Sequence, residues 1–320
     1  MINIAVDVMG GDNAPLSNLH GAFDFLSNYD HGVKLFLIGD KNQINDYVNE
    51  LSIFKTNKYE IINSSQNLDC SDKPSKVYKE KPNSSMVIGL NMLKEKKVNA
   101  FISAGNTGHL LASSFFILGT VKNIRRPALF AFIPSNNGDF LICDVGANTS
   151  VKPQHLLQFG QMSSIYIKHQ LRIDNPRISL LNIGSEENKG SELTKSAFNL
   201  LKENLSGFNG NIESRYIFNG KADILLTDGF TGNIVLKLIE GMTEYNIKLI
   251  SKKLNLNDNS KIEKIKKLYD YEQYGATPIL GINGLVLKSH GSSSRLSIKN
   301  ALINAVKLHK LDLIKEFEKI

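Results

Sequence analysis

The sequence predicts an α/β fold, a mostly parallel sheet flanked by helices. Three observations predict it. Short apolar runs alternate with stretches of helical spacing, the rhythm of βαβ units. Clusters of Gly, Asp, Asn and Ser follow the apolar runs, at the strand ends where open parallel sheets take their ligands. A chain of 320 residues with 42% hydrophobic content can also bury the core such a sheet needs. No Pro- or Ser-rich linker marks a boundary, so residues 1–320 are expected to form a single domain.

Taken in order, Ile2–Val6 reads as the first strand, followed by the loop Met9–Pro15 and a helix over Leu16–Ser27. Lys34–Ile38 is a second strand, closed by Gly39-Asp40, with a helix around Asn42–Leu51 and a third strand at Tyr59–Ile62. The polar stretch Asn63–Pro82 is irregular, and Ser84–Lys94 returns to helical spacing. Further strands are expected at Ala100–Ser103, Ala128–Ile133, Phe140–Asp144, Ile178–Ile183 and Ile224–Thr227, with Tyr216–Phe218 as an additional short one. Ile234–Leu254 carries an apolar helical stripe, and a polar turn at Asn255–Ser260 leads into a second amphipathic stretch through Leu268. Together, about 234–268, these predict a helical hairpin. It would pack in a core or a dimer, or rest as a basic amphipathic element on an anionic membrane.

Two stretches share one pattern. AFISAGNTGHLL (Ala100–Leu111) and ADILLTDGFTGNIVLK (Ala222–Lys237) each place Gly-x-Thr-Gly after a strand and before a helix. Gly105, Thr107 and Gly108 answer Gly229, Thr231 and Gly232, with Asn106, Asp228 and Asn233 beside them. The first amides of a helix lack intrahelical partners, so each turn is expected to serve either as structural punctuation or as an anion site. Four more clusters fall at strand ends: DVMGGD with Asp7, Gly10, Gly11 and Asp12; DVGAN with Asp144 and Asn148; NIGSEENKG with Lys189; and HGSSS with His290. Six such clusters are too many for turns alone, and a shared ligand cleft is expected.

Composition narrows the field. A net charge of +7 and a pI near 9.1 suggest an acidic partner: nucleic acid, anionic lipid, acidic protein or a phosphate-bearing substrate. Much of the charge is local, since Lys248–Leu268 holds seven lysines against Asp258 and Glu263. There is no tryptophan, and basic residues are not interleaved with aromatics, which disfavours a nucleic-acid-binding module. The two cysteines, Cys70 and Cys143, show neither CxxC nor ligand spacing, and the usage fits a reducing cytosol. No signal-peptide pattern or run of roughly 18 apolar residues appears. The P-loop, the Gly-x-Gly-x-x-Gly fingerprint, HExxH and the Gly-x-Ser-x-Gly elbow are all missing, and the histidines lack ligand spacing. A metal or an organic cofactor is therefore not expected.

MGGDNAP, SAGNTGHLLA, RRPAL, LICDVGAN, KPQHLLQFG, LLNIGSEENKG, DGFTGNIVLK, YGATPILG and HGSS occur in this order. In order and spacing they closely resemble the bacterial phosphate acyltransferases of phospholipid synthesis, the PlsX-type acyl-acyl-carrier-protein:phosphate acyltransferases. The resemblance runs from residue 2 to about 305. It implies a Rossmann-like fold similar to that of phosphate acetyltransferases and isocitrate dehydrogenases. It also implies a homodimer with a protruding helical hairpin that contacts the membrane, hence a cytoplasmic, peripherally membrane-associated enzyme. The implied partners are acyl carrier protein, inorganic phosphate and a membrane-bound glycerol-3-phosphate acyltransferase. Three departures stand out: NIGSEE for the family's NIGEE, which leaves the register of Glu186 and Glu187 open; YGATP for YGGAP; and His109 where the family has Ala.

The implied reaction joins inorganic phosphate to the acyl group of a thioester and releases the thiol. Phosphate is already anionic and a thiol of pKa about 8.5 leaves readily, so no catalytic triad is required. Such a site must position phosphate and stabilise an oxyanion. Lys189, as the cation, and Asn233, as an amide donor, are the expected catalytic residues, and the resemblance points to both. Asn106, Thr107, Thr231 and Gly232 are expected to contact phosphate, while Asp7, Asp12 and Asp144 order loops. Arg125, Arg126 and the hairpin lysines are candidates for docking the acidic carrier protein. The rival readings are an acyl-CoA:phosphate acyltransferase of the phosphate acetyltransferase kind, a dehydrogenase of related fold, and the nucleic-acid module already disfavoured.

Overall fold

The computed structural model describes residues 1–29, 32–50, 58–253 and 275–320. In chain order it runs β1 (Ile2–Asp7), α1 (Leu16–Asn28), β2 (Val33–Gly39), α2 (Lys41–Glu50), β3 (Tyr59–Asn63), α3 (Val77–Glu80), α4 (Ser85–Lys94), β4 (Ala100–Ser103) and α5 (Thr107–Leu118). It continues with β5 (Phe130–Ser135), β6 (Gly138–Cys143), α6 (Pro153–Leu171), β7 (Ile178–Asn182), α7 (Glu192–Asn204), β8 (Phe208–Glu213), a 3-10 turn (Ser214–Asn219), β9 (Ile224–Leu226) and α8 (Gly229–Lys253). After β10 (Ala276–Pro278) and β11 (Val286–Ser289), α9 (Arg295–Lys310) and α10 (Leu313–Phe317) end the chain.

The chain divides into two compact units, one of residues 1–123 with the described part of 272–319, the other the described part of 124–271. The first holds a six-stranded sheet in the order β10-β11-β4-β1-β2-β3, parallel except for the β10–β11 pair. Its strands read as continuous apolar runs because helices cover both faces. Ile4, Leu35, Leu37 and Phe101 are fully buried. Glycines let the helices close in. A Cβ on Gly21 of α1 would lie 2.7 Å from the Arg295 carbonyl oxygen of α9, and one on Gly89 of α4 would strike the Phe101 ring. The chain leaves β1 toward β2 and β3, then returns to β4 on the other side. The β1/β4 boundary is therefore a switch point, where the carboxyl ends of open sheets form a crevice.

The second unit holds a five-stranded sheet, β5-β6-β9-β7-β8, with only β5–β6 antiparallel. Its core includes Leu141, Ile142, Phe159, Met162, Ile224 and Leu226. The carboxyl ends of β6, β9 and β7 stand side by side, so the loops after Cys143, Leu226 and Asn182 share one edge.

Two expectations need correction. Tyr216–Phe218 is part of the 3-10 turn, and the strand before it is β8, Phe208–Glu213. Its FNGNIE sequence is mostly polar because β8 is an edge strand. Helix α8 begins at Gly229 rather than Ile234, so the Gly-rich stretch is the helix's first turn. The second arm of the expected hairpin, from residue 254 onward, lies outside the described residues.

Candidate functional site

In the first unit the switch point is built around Asp7, the last residue of β1 and only 2% exposed. Its carboxylate accepts hydrogen bonds from Ser85 Oγ and Ser103 Oγ, each at 2.6 Å, and from the Met9 N–H at 3.2 Å. Burial pushes the Asp7 pKa above the ordinary carboxylate value, while the two serine hydroxyls pull it down. Ser103 Oγ also accepts the Gly105 N–H at 3.0 Å, so one hydroxyl joins β1 to the turn after β4. Both serines escaped the sequence reading as partners of Asp7; Ser103 gives a signal, as the polar last residue of an apolar strand.

Gly10 and Gly11 sit where side chains do not fit. A Cβ on Gly10 would lie 2.5 Å from Asp7 Oδ2 and 2.7 Å from the Gly105 nitrogen. Buried Asn18 holds this loop by donating to the carbonyls of Val8 at 2.9 Å and Gly10 at 2.8 Å. The Asp12 N–H donates to the Gly291 carbonyl at 2.7 Å, drawing the loop after β11 alongside. There the Nδ1 of His290 accepts from the Ser292 N–H at 3.2 Å, with Ser292 Oγ 2.8 Å away. Asp7, Gly10, Gly11, Asp12, Gly105 and His290 thus belong to one loop cluster.

Helix α5 starts at its edge. Asn106 is the N-cap, and its Oδ1 accepts the His109 N–H at 3.1 Å. Thr107 and Gly108 are the first two helical residues, and among the described residues their N–H groups have no protein partner. Asn106 and Thr107 are exposed. A neutral cap followed by two open N–H groups at the positive end of a 12-residue helix favours an anion.

The second unit is organised around Asp144, fully buried after β6. Five nitrogens donate to it: the N–H groups of Leu129, Gly146 and Ala147 to Oδ1, and the N–H and side-chain amide of Asn148 to Oδ2, at 2.8 to 3.2 Å. Burial raises its pKa above the ordinary value, opposed by those donors, which can serve only an accepting carboxylate. Asn148 also donates to the Pro127 carbonyl at 2.7 Å, and its own carbonyl accepts the Gly229 N–H at 2.8 Å. Asp144 and Asn148 therefore seat the start of α8. Gly232 must be glycine there, since a Cβ would come within 1.9 Å of the Asp144 carbonyl oxygen.

The second Gly-x-Thr-Gly is not a copy of the first in helix register. Thr107 opens α5, whereas Thr231 is the third residue of α8. Asp228 precedes α8, and its carboxylate accepts both the N–H of Thr231 at 2.9 Å and its hydroxyl at 2.8 Å. The start of α8 thus already carries a protein anion. Asn233 follows, exposed, its side chain beside Gly146. Lys189 stands on the loop after β7, exposed, and among the described residues its ammonium has no ion pair or hydrogen bond. Its loop is tied down by Asn182, which donates to the Lys189 carbonyl at 3.0 Å. Of the two glutamates of uncertain register, Glu187 is paired with Lys202 at 2.8 Å. Among the described residues no hydrogen bond links Lys189 to Asn233; what they share is the sheet edge formed by β7 and β9.

Arg125, Arg126 and Lys152 gather around His155 at the start of α6, and none has an ion pair among the described residues. The Lys152 N–H donates to His155 Nδ1 at 3.1 Å, so that nitrogen is unprotonated. Burial and the three cations hold the His155 pKa below its usual value. Among the described residues, no group of three or more His, Cys, Asp or Glu side chains could hold a metal ion.

Residues 2–316 match the family described as "Fatty acid synthesis protein". A phosphate acyltransferase from Halothermothrix orenii is 43% identical over 312 residues, covering 94% of this chain and 93% of that protein. One from Acetivibrio thermocellus is 43% identical over 315 residues, covering 95% and 92%. A phosphotransacetylase structure from Streptococcus pyogenes superposes with a TM-score of 0.62 at 15% identity, over 97% of this chain and 94% of that one, which shows the shared α/β fold. Matched nearly end to end both by that family and by enzymes of this similarity, the chain belongs to the fatty acid synthesis protein family, among the phosphate acyltransferases.

Proposed function

We propose that the protein transfers an acyl group from the thiol of acyl carrier protein to inorganic phosphate, forming an acyl phosphate for phospholipid synthesis. The observation that carries the phosphate half is the start of α5, where two open N–H groups follow a neutral Asn106 cap. A phosphate oxygen attacks the thioester carbon, the C–O bond forms, and the C–S bond breaks. The sulfur leaves as thiolate and is protonated from solvent. The nucleophile needs no general base, because phosphate at neutral pH is already largely the dianion. Lys189 supplies the unpaired cation for phosphate or the developing oxyanion, and Asn233 the neutral amide donor. Asn106, Thr107, Gly108, Thr231 and Gly232 line the helix starts, and Asp7, Asp12, Asp144 and Asp228 order the loops that present them.

Three finer readings accompany this one. The unpaired Arg125, Arg126 and Lys152 suit an acidic carrier protein, whose Michaelis constant should then rise with salt. Phe230, Ile234, Leu238, Met242, Tyr245 and Leu249 form an exposed apolar stripe along α8. That stripe suits a homodimer contact, and a basic second arm would suit an anionic membrane. Peripheral attachment of a cytoplasmic enzyme would deliver an amphiphilic acyl phosphate to a membrane-bound glycerol-3-phosphate acyltransferase. No helix among the described residues is long and apolar enough to cross a membrane. Sedimentation equilibrium and co-sedimentation with anionic vesicles test these two contacts.

The deciding experiment incubates the protein with phosphate and either a long-chain acyl carrier protein or the matching acyl-CoA. Free thiol is followed, and acyl phosphate is trapped with hydroxylamine. Phosphate-dependent product from the carrier protein is expected. Product from acyl-CoA alone would transfer the reading to the competing thioester donor, and no product from either would defeat it.

A further inference from the structure

His109 is only 2% exposed, in the first turn of α5. Its Nε2 lies 2.9 Å from the backbone carbonyl oxygen of Asp72. A carbonyl only accepts, so that nitrogen bears the proton. Asp72 belongs to the irregular segment between β3 and α3, whose start is held by the Ser65 and Gln66 N–H groups donating to the Asn83 carbonyl at 3.1 and 3.3 Å. Lys81 reaches back to the Asp72 carboxylate at 2.6 Å and the Asn67 carbonyl at 2.8 Å, and Asp72 Oδ2 accepts the Asp69 N–H at 2.7 Å. Pro74 packs on the phosphate turn itself, since a Cβ on Gly108 would lie 3.5 Å from Pro74 Cγ.

We propose that His109 is a positioning residue that latches the 67–76 segment against the first turn of α5, so that Pro74 walls the open Thr107 and Gly108 N–H groups and fixes their orientation toward phosphate. The latch acts through Asp72 and Pro74, and the imidazole itself does not touch the reacting atoms. Alanine at this position leaves the Asp72 carbonyl without that donor and a gap beneath the segment. The inference rests on the proposed role of the α5 start in binding phosphate.

Cys70 lies in the same segment and is exposed, whereas Cys143 is buried with its thiol pushed well above its ordinary pKa. A nitroxide maleimide therefore labels Cys70 alone and reports the segment's mobility by its electron paramagnetic resonance line shape. Phosphate KM and kcat are measured for the parent, His109→Ala and His109→Gln, the last retaining a side-chain N–H donor of similar reach. Loss of one neutral hydrogen bond should raise phosphate KM about five- to tenfold in His109→Ala, with a smaller change in kcat. The nitroxide spectrum should sharpen in the alanine variant, and His109→Gln should recover most of both effects. An unchanged spectrum would overturn the latch. A sharpened spectrum with unchanged phosphate KM would overturn the link to phosphate. A parent lacking phosphate-dependent turnover would defeat the functional reading and the phosphate link with it, while the spectra would still decide the latch.

Discussion

Helix α8 contains a matched pair of glycines that separates packing from helix propensity. A Cβ at Gly241 meets nothing within 4 Å, whereas one at Gly232 would lie 1.9 Å from the Asp144 carbonyl oxygen and 2.8 Å from Thr227 Cγ2. In an exposed helix interior, alanine is favoured over glycine by about 1 kcal/mol. Gly241→Ala should therefore stabilise the protein by about that amount. Gly232→Ala gains the same propensity but forces the start of α8 off the Asp144–Asn148 loop. The obstacle is backbone, which cannot rotate aside, so the upper part of the overpacking range, about 3 kcal/mol, applies. The net loss is then about 2 kcal/mol, and the two variants should differ by about 3 kcal/mol. For a unit of this size, each kcal/mol moves the melting midpoint by roughly 2–4 °C. Calorimetry should thus find Gly241→Ala slightly above the parent and Gly232→Ala about 4–8 °C below it. Turnover should fall only in Gly232→Ala, because Asn233 is the next residue. Equal midpoints for the two variants would refute the seating of α8 on the Asp144 loop.

Three further perturbations test the chemistry. Lys189 is exposed and unpaired, so Lys189→Ala should leave the melting midpoint nearly unchanged while turnover falls by about 10²-fold or more, and a folded variant with normal turnover would remove Lys189 from the site. The His155 pKa lies below the free imidazole value of 6.5, so below that pH the unfolded chain binds more protons. The contribution of His155 to stability is therefore complete above pH 6.5 and lost as pH falls toward its folded value. His155→Gln, which can keep the cap on Lys152 without titrating, should flatten that loss in urea unfolding series at successive pH values. Asn106→Asp should preserve the cap on α5, since the two residues cap about equally well, yet raise the phosphate KM by placing a negative charge beside the dianion; an unchanged KM would detach the α5 start from phosphate.

How much of this was legible in the sequence follows from where each signal arises. The βα alternation and the strand-end clusters are local, and Asp7, Gly105, Asp144 and Asn148 stand where those patterns place them. The 1–123/272–319 unit is discontinuous in sequence, and no composition shift betrays a unit completed by β10, β11 and α9 from the far end of the chain. The start of α8 reads as a turn in sequence for a related reason. Gly229, Thr231, Gly232 and Asn233 look like a turn because glycine and asparagine are poor helix formers, and tertiary seating on Asp144 overrides that propensity. Likewise, nothing local announces that His109 would reach Asp72, 37 residues away in sequence.

The two Gly-x-Thr-Gly stretches show why a shared motif does not imply a shared role. At α5 the motif threonine is the first helical residue and the cap is Asn106, so the helix start keeps both its open N–H groups and its positive character. At α8 the motif is shifted two positions into the helix, the Gly229 N–H is taken by the Asn148 carbonyl, and Asp228 holds the Thr231 N–H and hydroxyl. An aspartate at a helix start offsets the dipole that would otherwise attract a second anion. A free phosphate dianion is therefore better received at the α5 start. The α8 start has its charge already answered, and beside it the neutral Asn233 side chain stands exposed next to Gly146. The one-letter difference between the caps, Asn106 against Asp228, thus gives opposite electrostatic character to two helix starts that look alike in sequence.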